Sequence, residues 1–174
     1  MIATLSSSPL SPLANHPRRI LGLIAAACVA MLAFGLYLQH VVGLEPCPMC
    51  IVQRYALVAV ALVAGVTAVF KRRFFLYAGV IKMGVFAALG AFVAARQSWL
   101  QWNPPEILSC GRDFFGMIEA FPLRRAIPMI FRGSGDCSVI DWTFLGLSIA
   151  NWSFLCFSAI ALLAVALWAK RPAA

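Results

Sequence analysis

Charged side chains are scarce in this sequence. Only 11% of its 174 residues are Asp, Glu, Lys or Arg, whereas 63% are hydrophobic. A soluble domain is typically about a quarter charged and about half apolar. The deficit argues against an ordinary water-soluble domain and indicates an integral membrane protein.

Several signatures of cofactor and nucleic-acid binding are also missing. The net charge is +8, but the basic residues flank apolar runs and form no dense patch, which argues against a nucleic-acid partner. The chain has no glycine-rich phosphate loop, no flavin or nucleotide fingerprint and no iron–sulfur spacing. A Cys-x-x-Cys-His haem attachment motif is absent because Ile51 follows Cys50.

Proline is absent from four long apolar runs. They lie at about 20–38, 51–70, 74–95 and 152–169. Each is near the roughly 20 residues that a helix needs to cross a bilayer. Because the bilayer interior offers no water to backbone groups, such runs should be helical. The sequence therefore predicts an all-α membrane protein, a four-transmembrane-helix bundle.

The runs also define the expected organisation of the chain. A disordered cytoplasmic tail is expected over 1–19, followed by a single membrane domain over 20–170 with outer loops at about 39–50 and 97–151. A cleaved signal or a lipid-attachment cysteine is the alternative for the first run, since three alanines precede Cys28. The apolar run continues well past that cysteine, which favours a retained span.

Lysine and arginine predict the orientation. The residues that sit against span ends all fall on one side if four spans alternate: Arg18, Arg19, Lys71, Arg72, Arg73, Lys170 and Arg171. By the positive-inside rule this side is cytoplasmic. Both termini should then be cytoplasmic, and the two other loops should face the opposite compartment.

Four of the six cysteines fall in those outward loops. Cys47 and Cys50 lie in the first loop, and Cys110 and Cys137 lie in the long second loop. Disulfides persist on the oxidising side of a membrane, and four cysteines can pair in three ways. A structural disulfide remains open for Cys110 and Cys137. Zinc binding by all four is less favoured because the second pair is not closely spaced.

Cys-Pro-Met-Cys at 47–50 has the spacing of a redox pair. So small a ring stabilises a fold little, since the entropic gain of a disulfide grows with loop length. Cys50 is expected to open the second helix, whose N-terminal partial positive charge favours a thiolate. Arg54 lies one turn further along the same face and adds to that field.

Such a pair needs an acceptor for two electrons, and a membrane quinone is the carrier available at this location. Arg54 is the main candidate to bind it, because a guanidinium donates hydrogen bonds to a carbonyl and stabilises negative charge there. The alternative is that Arg54 merely snorkels to the interface. Gln97 and Gln101, at the outer end of the third span, are weaker candidates for hydrogen bonds to the quinone.

Three other residues within spans have simpler explanations. Lys82 is expected to snorkel towards the basic loop. Cys28 and Cys156 are expected to be buried small hydrophobes.

The motif set resembles the disulfide bond formation protein B (DsbB) family. The resemblance rests on the Cys-x-x-Cys that heads the second span, on Arg54 and on Leu100-Gln101. It continues through Cys110, Ser134-Gly135-Asp136-Cys137 and Trp142-Thr143-Phe144-Leu145-Gly146. It extends from about Gly22 to Trp168, with the cysteine order and four-span layout intact.

The resemblance implies a multi-pass protein of the bacterial inner membrane that reoxidises a periplasmic DsbA-like thioredoxin-fold oxidase. The electrons would pass to ubiquinone or menaquinone. Carried over by motif, Cys110 receives the partner's thiolate and Cys137 then attacks the Cys47 side of the first pair. Cys50 leaves as a thiolate and reduces the quinone, with Arg54 beside the ring.

One departure and two rival functions accompany this hypothesis. Some relatives carry a histidine near the outer end of the third span, where this chain has Arg96-Gln97-Ser98-Trp99. The apolar segment 113–121 either lies in the membrane interface as a short amphipathic helix or packs on the bundle. The rivals are a vitamin K epoxide reductase-like enzyme, whose Cys-x-x-Cys lies late in the chain, and a non-enzymatic scaffold with two structural disulfides.

Overall fold

Four long helices dominate the computed structural model, which describes residues 16–70, 72–104 and 137–169. They are α1 (Pro17–His40), α2 (Pro48–Val69), α3 (Arg73–Trp102) and α4 (Ile149–Ala169). A short antiparallel hairpin precedes α4, made of β1 (Thr143–Phe144) and β2 (Leu147–Ser148). All four helices are long and apolar enough to span a membrane, which confirms the predicted fold class.

All four helices extend beyond the limits predicted from hydropathy, and α1 and α3 do so the most. α1 begins at Pro17, so Arg18 and Arg19 belong to its first turn rather than to a tail. Proline suits that place because the first helical N–H lacks an intrahelical partner anyway. α3 continues through Trp102, so residues 97–102, predicted to begin the second outer loop, are helical.

The helices pack in an antiparallel series. α3 packs against both α2 and α4, and α2 packs against α1. We call the end that holds Cys47 and Cys50 the sulfur end, and the end that holds Arg18 and Arg72 the basic end. The core that joins the helices takes one fully buried large side chain from each of them: Leu21, Val60, Met83 and Phe157.

Glycines bring α3 close to its neighbours. A Cβ atom at Gly90 would lie 2.6 Å from the ring of Phe157 in α4, and one at Gly79 would overlap Thr67 of α2. The Thr67 hydroxyl donates a hydrogen bond to the carbonyl of Val63 (2.5 Å), so it adds no unbonded polar group to the interface. Close backbone approach at small residues is typical of membrane helices, whose association depends on packing.

The outer surface of the bundle is apolar. Leu62, Phe92 and Val165 are all at least 63% exposed, as lipid-facing side chains would be. Lys82 also lies on the exposed side of its helix, where a snorkelling side chain belongs.

Candidate active site

The first cysteine pair lies at the N-terminus of α2. Pro48 is the first helical residue and Cys47 is the N-cap, whose Sγ accepts a hydrogen bond from the backbone N–H of Cys50 (3.4 Å). The prediction that Cys50 opens the helix was therefore wrong by two residues. Cys50 lies in the first turn, so both sulfurs are in the region where the unbonded N–H groups create a positive potential.

Three sulfurs form a series at this end of the bundle. The Sγ atoms of Cys47 and Cys50 are 3.2 Å apart, with the Cys47 thiol as donor. Cys137 is buried, packs against Cys47 and hydrogen-bonds to it. The hydrogen bonds to Cys137 and Cys50, together with burial, raise the pKa of the Cys47 thiol far above its ordinary value. Cys47 is thus the middle sulfur, and it keeps its proton when the pair is reduced.

The fourth cysteine of the predicted relay, Cys110, lies outside the described residues. So does the segment 113–121. The role of Cys110 as the entry point and the membrane-surface helix both stay predictions.

Two buried glutamines contact the cysteine pair. The Nε2 atom of Gln97, in α3, donates to the Sγ atoms of Cys47 and Cys50, at 3.3 Å each. The Oε1 atom of Gln97 accepts a hydrogen bond from Nε2 of Gln53 (2.7 Å). Sequence reasoning assigned Gln97 only a weak role towards quinone and missed Gln53. One available signal was spacing, since Gln53 follows Cys50 by three residues and shares its helical face.

Arg54 points into the protein. Its side chain is 8% exposed, Nη1 donates to Oε1 of Gln39 (2.6 Å) and Nη2 donates to the Gly35 carbonyl (3.4 Å). Both acceptors are on α1. A snorkelling arginine would extend its guanidinium towards the surface, so that alternative does not describe this structure. The guanidinium is also close enough to Cys50 to interact with it electrostatically.

A cavity of about 760 Å³ adjoins the cysteine pair. Its walls are mostly apolar, and its polar lining includes Cys50, Arg54 and Gln101. Gln101 is fixed at the wall because its Oε1 accepts a hydrogen bond from the Ser148 hydroxyl (2.6 Å). The cavity therefore combines an apolar interior with a few polar groups close to one sulfur, as small-molecule sites commonly do.

The two remaining cysteines differ in their relation to this cavity. Cys28 is buried in the apolar core, as predicted. Cys156 is only half-buried and lines the cavity, so the prediction that it is a buried small hydrophobe was wrong. The reason is that its face of α4 borders the open space rather than a neighbouring helix.

Aromatic rings from the hairpin and α1 border the same cavity. Trp142 meets Phe34 edge-on, with ring centroids 5.8 Å apart, and stacks on Phe144 at 6.1 Å. The indole N–H of Trp152 donates to the Phe144 carbonyl (3.0 Å), which attaches the hairpin to α4. The tight hairpin turn depends on Gly146, whose φ of 78° is unfavourable for other residues.

A family model described as disulfide bond formation protein DsbB matches residues 17–167, which include α1, α2, α3 and all but the last two residues of α4. The chain belongs to the DsbB family. Proteins of this family are disulfide oxidoreductases that reoxidise DsbA and pass electrons to quinone, so the predicted enzyme class and function are confirmed.

Curated DsbB-family relatives match nearly the whole chain. A disulfide bond formation protein B from Polaromonas sp. strain JS666 is 74% identical over 151 residues, which cover 87% of this chain and 90% of the relative. One from Polaromonas naphthalenivorans is 68% identical over 91% of this chain and 95% of the relative. One from Paracidovorax citrulli is 67% identical over 90% of this chain and 91% of the relative.

Proposed function

We propose that this chain reoxidises a periplasmic DsbA-like thioredoxin-fold oxidase and delivers the electrons to a membrane quinone through Cys50. The observation that carries the proposal is the series of sulfurs Cys137, Cys47 and Cys50, which ends at the wall of an apolar cavity. A relay by disulfide exchange requires each attacking sulfur to approach the next in line. The contacts among these three sulfurs support that requirement.

The relay begins with an exchange at the second cysteine pair. The partner's thiolate attacks Sγ of Cys110, the Cys110–Cys137 disulfide breaks, and Cys137 leaves as a thiolate. Cys137 then attacks Sγ of Cys47. A Cys47–Cys137 disulfide forms, the Cys47–Cys50 bond breaks, and Cys50 leaves with the electron pair. The burial of Cys137 against Cys47 supports this second step.

The cavity beside Cys50 fits a quinone headgroup in size and in the character of its walls. When bound, the quinone supplies a two-electron acceptor. Arg54 and Gln101 are the residues that would hold it, with Arg54 donating hydrogen bonds to a carbonyl oxygen and stabilising negative charge there. Because Gln39 and Gly35 already fix the guanidinium, little reorganisation is needed on binding. Both ubiquinone and menaquinone have the carbonyl groups that this arrangement recognises.

We also propose that the protein lies in the bacterial inner membrane with its sulfur end facing the periplasm. Arg18, Arg19, Arg72 and Arg73 cluster at the basic end, where the positive-inside rule places the cytoplasm. The four cysteines would then face the compartment in which disulfides form. A membrane-impermeant maleimide added from the periplasmic side should modify Cys50 in reduced cells. Modification of Cys50 only from the cytoplasmic side would show that the orientation is the opposite of the one proposed.

The proposal is tested with purified protein in lipid nanodiscs. Reduced DsbA-like partner is mixed with the protein and either ubiquinone or menaquinone, and loss of partner thiols and of quinone absorbance are followed together. We expect one quinone reduced for each dithiol oxidised. Partner oxidation with no quinone reduced would contradict the quinone assignment.

A trapping experiment tests the entry point. A partner that retains only its attacking cysteine should form a stable mixed disulfide with Cys110. The Cys110→Ser variant should lose this adduct, whereas Cys156→Ser should keep it. An adduct that persists in Cys110→Ser and maps to Cys47 would place entry at the first pair instead.

A further inference from the structure

The amide of Gln97 is the one side-chain amide among the described residues that touches both sulfurs of the first pair. Gln97 is 3% exposed and Gln53 is 4% exposed, so water does not compete freely for their hydrogen bonds. Buried amides are costly unless they are bonded. A buried pair of glutamines beside two reactive sulfurs therefore calls for an explanation beyond packing.

The orientation of the Gln97 amide is set by Gln53. An amide presents an acceptor on one side and a donor on the other. Because Nε2 of Gln53 donates to Oε1 of Gln97 (2.7 Å), the NH₂ group of Gln97 is the nearer end of the amide to Cys47 and Cys50, at 3.3 Å from each Sγ. Oε1 lies further from Sγ of Cys50, at 3.7 Å, where it accepts a hydrogen bond from the protonated thiol. The reverse orientation would put two NH₂ groups against each other and place the oxygen, in place of the donor, nearest to both sulfurs, where it would repel a thiolate.

We propose that Gln97 is a catalytic residue that stabilises the Cys50 thiolate released in the relay, and that Gln53 is the positioning residue that aims it. When Cys137 attacks Cys47, the Cys47–Cys50 bond breaks and its electron pair goes to Cys50. One N–H of the Gln97 amide then lies ready at that sulfur, while the other is directed at Cys47. Fixed donors aimed at developing charge need no reorganisation during the step.

A neutral donor suits this position. Arg54 supplies positive charge nearby and donates hydrogen bonds to Gln39 and Gly35 on α1. Gln97 approaches from α3, at 3.3 Å from the sulfur. A hydrogen bond to a charged acceptor is stronger than one to a neutral acceptor, so this contact strengthens as the thiolate forms.

The inference rests on the proposed relay, but its test needs neither quinone nor partner. In full-length protein in nanodiscs, Cys50 is kept as the sole cysteine and its alkylation by iodoacetamide is measured across pH. We expect Gln97→Leu to slow alkylation at neutral pH about tenfold, the factor that about 1.4 kcal/mol represents. The midpoint of the pH profile should rise by about one unit. The isosteric Gln97→Glu should slow alkylation at least as much.

A matched control separates this effect from general damage to α3. Ser98 is the next residue in the helix and is also buried, and no described hydrogen bond joins it to either sulfur. Ser98→Ala should leave the alkylation profile unchanged. If Gln97→Leu fails to fold, Gln97→Glu and Gln97→His still test the proposal, because histidine keeps an N–H donor and should retain most of the alkylation rate. An unchanged profile in Gln97→Glu, or an equal loss in Gln97→His, overturns it.

A double-mutant comparison tests the role of Gln53. Gln53→Leu should slow alkylation about threefold, less than Gln97→Leu, because the Gln97 amide remains but loses its fixed orientation. Combined with Gln97→Leu, it should add nothing further, since Gln53 acts through Gln97. Additive losses would show that Gln53 acts on its own. Altered alkylation with normal turnover would mean that release of Cys50 does not limit the relay; unaltered alkylation would sink this inference and leave the proposed relay standing.

Discussion

The two ends of the bundle differ in the side chains that they bury between the same four helices. At the sulfur end, the buried side chains include Gln53, Arg54 and Gln97, each under 10% exposed. At the basic end, the close contact between α2 and α3 is Thr67 against Gly79, whose one polar group is bonded within its own helix. Polar groups inside a membrane protein are costly, so a structure that gathers them at one end marks that end as functional.

The difference indicates that the sulfur end carries the reaction, whereas the packed core holds the helices together. Glycine contacts such as Gly90 with Phe157 hold the helices together through shape. At the sulfur end, by contrast, Gln53, Gln97 and Arg54 are each hydrogen-bonded to a partner on another helix. Changes at the sulfur end should therefore reduce activity with modest effects on stability. Changes in the packed core should do the reverse.

The largest expected effect is the loss of activity in Cys50→Ser. A serine oxygen neither forms a disulfide with Cys47 nor carries electrons out of the relay, so quinone reduction should fall to background. Quinone absorbance measured with reduced partner in excess checks this. Cys28→Ser, a cysteine in the core away from the cavity, is the matched control and should keep its turnover. Quinone reduction by Cys50→Ser would place the electron exit at another sulfur.

Arg54→Ala should have the next largest effect. We expect the KM for quinone to rise at least tenfold, because a hydrogen bond from a charged group contributes about 1.5–3 kcal/mol. A second assay omits quinone and mixes the protein with a stoichiometric amount of reduced partner. In this assay, the rate at which the Cys47–Cys50 disulfide is consumed should change far less. Gln39→Leu, which removes the acceptor of the Arg54 Nη1 hydrogen bond, should raise the KM by a smaller factor. A normal KM in Arg54→Ala would show that the residue has only a structural role.

Much of this architecture could be predicted from the sequence, because a bilayer imposes helices on long apolar runs. The spacing of Cys50 and Arg54 likewise predicted that both lie near one helix terminus. The pairing of Gln53 with Gln97 could not be predicted. They are 44 residues apart and on different helices, and their meeting depends on the rotation of α3 about its axis.

The sequence of α3 does not indicate that rotation, because the helix is apolar on almost every side. In a soluble protein, the alternation of polar and apolar residues indicates which face is buried. Here the lipid-facing and core-facing sides of α3 are both apolar, as Phe92 and Met83 illustrate. The buried face is selected by small residues such as Gly90, whose partner Phe157 is distant in the sequence.

Two glycine substitutions measure how much close helix packing contributes to the stability of the protein. Gly90→Ala should destabilise the protein by about 1–3 kcal/mol, because the added methyl meets the Phe157 ring in a packed core. Gly22→Ala makes the same change in α1 where nothing lies within 4 Å, so it should be neutral or stabilising by up to about 1 kcal/mol. Unfolding in mixed micelles with increasing SDS, at fixed quinone content, checks both. An equal loss of stability in the two variants would mean that the α3–α4 contact can rearrange to accommodate the added methyl group.

The smallest effects are expected at the two cysteines within the spans, one in the packed core and one at the cavity wall. Cys28→Ala removes a sulfur from the packed core, so it should cost about 1 kcal/mol of stability and leave the KM for quinone unchanged. Cys156→Ala enlarges a cavity that is already open, so it should leave stability within about 0.5 kcal/mol and change the KM by less than about threefold. The same SDS titration and quinone kinetics check both variants. The opposite pattern would be a stability loss at Cys156 and a KM change at Cys28. It would contradict the placement of Cys28 in the packed core and of Cys156 at the cavity wall.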